Sequence, residues 1–215
     1  MTGAEINSKL ARGLRGKFEI CEFFASPGFS DIQAPSDSMY SMGVVDSVTR
    51  QANRVDAVWD KKHKRLTIRR NCTGPGYWIP YLGNGPKHPI GMAQTPGRGL
   101  GTYTPPVILG GPISWVVTGP FSGCTAASFS PGGGKVFAHV ITPADGSTAD
   151  TVSNQISNIA TRVGAPIPGP DVATKILSGV GEGFVFWLLI NGVWYRRIMW
   201  AYAGIVKGME RKTQV

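Results

Sequence analysis

The chain is predicted to fold as a mixed-sheet α/β or α+β domain, on three observations. Strand-like runs outnumber helical ones along the 215 residues. The dipeptide Asn191-Gly192 divides a long apolar stretch, "FVFWLLINGVWYRRIMWAYAGIV", into the two arms of a hairpin. An amphipathic stretch closed by Gly164 separates that hairpin from an earlier pair of strands. No internal repeat or linker divides the chain, so residues 1–215 are read as a single catalytic-sized domain, long enough to bury a core without disulfides or metals.

Residues 3–16 place Ile6, Leu10 and Leu14 at helical spacing, and "FEICEFF" (18–24) alternates like a strand, with Cys21 an ordinary small residue on one face. Arg54–Trp59 and Arg65–Arg70 alternate around the polar turn Asp60–Lys64, a hairpin in which His63 is read as solvent-exposed and without a carboxylate partner. Residues 73–112 contain eight prolines and are expected to be irregular; "GRGLG" there lacks the strand and lysine of a phosphate loop, and His88 is a loop residue. "ISWVVT", Cys124–Phe129 and Val136–Ile141 are strands, the last two joined by "SPGGG". Ser147 or Thr148 then caps a helix that buries Val152, Ile156, Ile159, Ala160 and Val163, and "DVATKIL" reads as a short helical turn.

Gly 29 and Pro 16 describe a loop-rich chain, and a charged share of 16% with ordinary apolar content excludes disorder. Cys21, Cys72 and Cys124 are odd in number and irregularly spaced, which suggests neither a disulfide framework nor a metal site; no cofactor is expected. "MTGAEINSKLARGLRGKF" is polar from its start, unlike a secretory signal, and the arms beside Asn191-Gly192 are too short for a membrane span. The net charge of +9 favours an anionic partner, its cations gathered in "KLARGLRGK", "KKHKRLTIRR" and "KGMERK". Nucleic acid, acidic proteins and anionic membranes all satisfy that charge. No nucleic-acid-binding motif accompanies it, so no specific nucleic acid is expected, and each run also reads as solvated surface.

The chemistry-bearing pair is Cys124 and His139. A two-residue turn at Pro131-Gly132 sets them directly opposite each other, whereas a longer turn shifts the register and separates their faces unless a bulge restores it. A histidine beside a thiol favours the nucleophilic thiolate and later returns the proton to a leaving amine. Ser122-Gly123 permits a sharp turn that aims backbone N–H groups at an oxyanion. The third role, orienting the imidazole, falls to a carbonyl or side chain at the end of "WVVTG", Thr118 or Val117.

"FSGCT" with a histidine on the following strand resembles the signature of the cysteine-dependent glutamine deamidase toxins, the cytotoxic necrotizing factor catalytic domain and Burkholderia lethal factor, and more distantly the chemotaxis deamidase CheD. The match covers Trp115 to Val140: the apolar-x-Gly-Cys motif is Phe121-Ser122-Gly123-Cys124, with phenylalanine where leucine is usual, a change expected to leave the chemistry intact and alter the pocket wall, and the histidine is His139. The resemblance implies a sandwich of mixed β-sheets flanked by helices, with an exposed Gly-Cys at a strand start. It further implies a histidine held by a backbone carbonyl of the preceding strand, and hydrolysis of a glutamine side-chain amide in a host protein. A monomeric bacterial virulence effector follows, delivered into host cytosol without a signal peptide or else resident in the bacterial cytoplasm, with a Rho-type GTPase or a translation initiation factor as target.

Transglutamination shares every step but the last. A cysteine protease is a further alternative, though such families separate Cys and His widely and add an Asn or Asp. From another class comes a non-enzymatic basic module that binds nucleic acid or an anionic surface.

Overall fold

The computed structural model describes residues 3–12, 17–20, 48–50, 52–79, 101–121, 124–140, 152–168, 174–175, 182–202 and 205–215. Two mixed sheets carry the fold, with one helix packed on the larger and another on the smaller.

The larger sheet comprises β1 (Lys17–Ile20), β3 (Asn53–Asp60), β4 (Arg65–Arg70), β5 (Gly76–Ile79), β7 (Trp115–Phe121), β11 (Glu182–Ile190), β12 (Val193–Tyr202), β13 (Ile205–Met209) and β14 (Thr213–Gln214). Its order is β11-β7-β5-β3-β4-β1-β13-β12-β14, and β12 also pairs with β11. Every strand of the order from β11 to β12 therefore has two neighbours, and the sheet curls into a closed ring, with β14 pairing on β12 as an addition. The β11–β12 hairpin is the one the sequence marks: Asn191 and Gly192 both have positive φ, 51° and 78°, as a type I′ turn requires. The hairpin of β3 and β4 also stands, with Asp60 opposite Arg65.

Alternation along the strands separates two faces. Val55, Ala57, Leu66, Ile68, Trp78, Trp115, Val117, Phe184, Phe186, Leu188, Met199 and Ala201 come from strands around the ring and meet in one cluster. That cluster includes Ile6 and Leu10 of α1 (Gly3–Arg12), so the helix lies against the inner face. The Asn7 amide donates to the carbonyls of Ser114 and Leu189 at 2.8 and 2.7 Å, and Arg197 Nη1 donates to Leu10 O at 2.8 Å, satisfying a carbonyl of the last helical turn. Leu14 and Cys21 lie outside the described residues.

The smaller sheet has the order β10-β8-β9-β6-β2, from β2 (Val48–Arg50), β6 (Gly101–Tyr103), β8 (Thr125–Phe129), β9 (Val136–Val140) and β10 (Thr174–Lys175). One face meets the outer face of the ring through Val116, Phe121, Cys124, Ala126, Phe137, Val185, Trp187 and Trp194. The other carries Ala127, Phe129, Val136, Ala138 and Val140 against Ile156, Ile159 and Ala160 of α2 (Val152–Val163). This helix ends as expected: Gly164 has φ 65°, Ala165 N donates to Ala160 O at 2.9 Å and Gly164 N to Thr161 O at 3.3 Å, a Schellman closure. The predicted caps Ser147 and Thr148 lie outside the described residues.

Three expectations are corrected. The stretch 73–112 contributes β5 and β6, because its glycines and prolines punctuate short strands. Gly76 sits where an added β-carbon would run into the Trp115 indole. "DVATKIL" supplies the strand β10, which pairs with Thr125 and Ala126. Finally, His63 is exposed but has a carboxylate partner, its Nδ1 2.6 Å from Asp60 Oδ2. Asp60 Oδ1 also accepts from the N–H groups of Lys62 and His63, and these contacts, the His63 hydrogen bond foremost, hold its carboxyl below the usual range.

Candidate functional site

The candidate site lies between the sheets, where β7 of the ring faces β8 and β9. Cys124 immediately precedes β8 and His139 is the fourth residue of β9.

Their predicted direct opposition is not what the register gives. Phe129 pairs with Val136 and Ala126 with His139, because the connection runs from Ser130 to Lys135 and not through two residues. Lys135 is used elsewhere, its N–H and C=O both bonded to the backbone of Val107. The register has slipped by two residues, so the faces are preserved: Cys124 is one pleat from Ala126 and shares with His139 the side that meets the ring. The two are diagonal neighbours, with α-carbons separated by about 7–8 Å.

His139 is fully buried and held on two sides. Thr118 Oγ1 lies 2.8 Å from His139 Nδ1 and donates its own proton to Ile79 O at 2.9 Å. A carbonyl can only accept, so the hydroxyl proton is committed to Ile79, and toward the ring Thr118 can only accept. Nδ1 therefore carries the imidazole proton, and the basic lone pair is on Nε2. Phe121 lies flat on the ring, centroids 4.2 Å apart and planes 8° from parallel.

That grip depends on a bulge. Thr118 pairs with Val185 and Phe121 with Gly183, so Gly119 and Pro120 together oppose Phe184. Three positions along an unbroken strand would place Thr118 and Phe121 on opposite faces. The extra residue turns both toward His139, one on its edge and the other on its plane. Gly119 takes φ 150°, and Pro120 withdraws an N–H from the ladder where the ladder is interrupted.

The predicted orienting group is thus Thr118, through its hydroxyl and not a backbone carbonyl; the carbonyl in the relay is that of Ile79. Val117 points into the inner cluster of the ring and does not serve. Phe121, expected as a wall of the pocket, stacks on the imidazole. Ser122 and Gly123 lie outside the described residues. Ile79 had no signal in the sequence, since it sits in the proline-rich stretch 39 residues from Thr118. The Gly119-Pro120 pair within an apolar strand was the available signal for Phe121.

The expected exposure of Cys124 is also corrected: it is 6% exposed, while Cys72 is exposed, and both are thiols. Desolvation lowers the His139 pKa from 6.5 to about 3, so the resting imidazole is neutral and the site is not a preformed thiolate–imidazolium pair. The unfolded chain takes up a proton at this histidine below pH 6.5 that the folded chain refuses until about pH 3. The stability this contributes is complete above the unfolded value and is lost as pH falls through that window, at about 1.4 kcal/mol per pH unit. In denaturant titrations from pH 7 to 4, His139→Phe is expected to flatten the pH dependence by one proton; an unchanged slope would contradict a neutral buried imidazole.

No protein-family model matches the chain, and no curated protein matches it.

Proposed function

We propose that the protein is a glutamine deamidase in which Cys124 is the nucleophile and His139 Nε2 the general base and acid. One observation carries the reading: the Thr118 bond that leaves His139 with its lone pair on Nε2, on the face shared with Cys124. The Sγ–H proton passes to Nε2 as sulfur attacks the carboxamide carbon, giving a tetrahedral oxyanion. The sequence assigns that oxyanion to N–H groups of the Gly123-Cys124 turn. The C–N bond breaks as Nε2–H protonates the departing nitrogen, which leaves as ammonia. Water then adds to the thioester, its proton taken by Nε2 and returned to sulfur, and the product is glutamate. Throughout, the Nδ1–H···Thr118···Ile79 relay keeps the tautomer. With no carboxylate in it, the imidazolium is favoured only while a thiolate or oxyanion lies beside it.

Burial argues for a side-chain amide over a peptide bond. His139 has no exposed surface and Cys124 little, so a reactant reaches them end first. A primary carboxamide on a slim arm can do that; a peptide bond, with chain on both sides, cannot. The resemblance extends the proposal to an effector that modifies a host Rho-type GTPase or translation initiation factor. Intact-protein mass spectrometry of such candidates is the test: one NH2 should become OH at a single glutamine, with ammonia released. Backbone cleavage would make the protein a protease, and an added amine a transglutaminase.

A second reading has its own observation. Lys61, Lys62, Lys64, Arg69 and Arg70 are exposed on the β3–β4 hairpin, and no carboxylate of the described residues pairs with them. Such a surface supports a basic binding module whose affinity falls steeply with salt and is indifferent to the thiol. Among the described residues no helix is long and apolar enough to cross a membrane.

A further inference from the structure

His139 has an in-sheet neighbour on each side, Thr102 of β6 and Ala126 of β8. On one side stands a branched residue and on the other a single methyl. Both are fully buried, as is Thr118, and Phe121 covers the ring. Cys124, Ala126 and His139 are three corners of one cross-strand quadrilateral, with Cys124 and His139 on its diagonal. Opposed β-carbons are about 4.5–5.5 Å apart, so a carbon bonded to Sγ and within reach of the imidazole lies against the side chain at position 126.

We infer that Ala126 is a specificity-determining residue: its methyl is the wall of the acyl subsite and admits a primary carboxamide on an unbranched arm. The inference rests on Cys124 as the nucleophile, and deepens that reading by giving the site its size limit. Thr102 blocks the opposite flank of the imidazole, so room for the reactant depends on the small residue at 126. Valine there adds two methyl groups where the carboxamide would sit, while the Thr118 and Phe121 contacts come from another strand and are untouched.

Iodoacetamide, a carboxamide on one methylene, is the probe. Its rate at Cys124, read by peptide mass spectrometry and normalised to exposed Cys72, is expected to fall in the order Ala126→Gly or wild type, Ala126→Ser, Ala126→Val. The valine variant should be at least ~10-fold slower, the scale of a methylene in a shaped pocket. The His139 Nδ1–H resonance in proton NMR should persist in all four proteins, which a rearranged core would not allow. An unchanged rate in Ala126→Val, or a rate order that follows melting temperature instead of side-chain size, overturns the assignment. So does a wild-type Cys124 that iodoacetamide never reaches. Turnover of Cys124→Ser judges the nucleophile separately, so the two failures are distinguishable.

Discussion

Cys124→Ser is expected to keep the fold and lower turnover at least ~10³-fold. In the proposed mechanism the acceptor for the nucleophile's proton is an imidazole whose pKa is depressed to about 3 and whose Nδ1 faces a hydroxyl, not a carboxylate. Such a base can take a thiol proton in concert with attack; it has far too little driving force for an alcohol. Size barely changes, but a buried hydroxyl replaces a weakly polar thiol, at a cost of about 1–3 kcal/mol if it is left without a partner. A melting temperature lower by several degrees with secondary structure retained is therefore compatible with the reading. Full biological effect from the serine variant would make the Cys124–His139 hairpin structural and leave the basic surface as the leading account.

Gly119→Ala is expected to destabilise the protein by about 3–5 kcal/mol, combining overpacking with strain at a positive φ. A β-carbon at Gly119 would lie 2.5 Å from Phe184 Cδ1 and 2.8 Å from Gly183 O, in a backbone conformation that side chains rarely adopt. Relief requires β7 to move off β11, which turns Thr118 or Phe121 away from His139. The midpoint of urea unfolding should fall with little change in slope, and the Nδ1–H resonance should weaken or vanish. An unchanged midpoint would mean that the bulge accommodates the methyl and does not set the site.

Local signals carried well where neighbours in sequence are neighbours in space. The Asn191-Gly192 hairpin, the β3–β4 hairpin, the spacing of Ile6 and Leu10 and the Gly164 stop all rest on contacts within a few residues. The sandwich of mixed sheets was legible only as a class. Which strands adjoin was not, because β5 pairs with β7 across the proline-rich stretch and β1 with both β4 and β13. Alternation in "WVVTG" could not choose between Thr118 and Val117, since the choice depends on which face of β7 a second sheet covers. The Cys124–His139 register slipped because the connection takes the six residues Ser130–Lys135 and not a two-residue turn, with Lys135 bonding its backbone to Val107.

The closed ring constrains the order in which the chain can assemble. Its seam is the junction of β1 with β13, where Lys17 pairs antiparallel with Ile205, between segments far apart along the chain. A ring cannot shut until both partners exist, so a nascent chain holds β1 on β4 while the seam waits for the last strands to emerge from the ribosome. α1 has to be seated before then, because its Leu10 and Asn7 contacts are with β12, the end of β11 and the residue before β7. Closure is thus a late, long-range step that pays its loop entropy at the end.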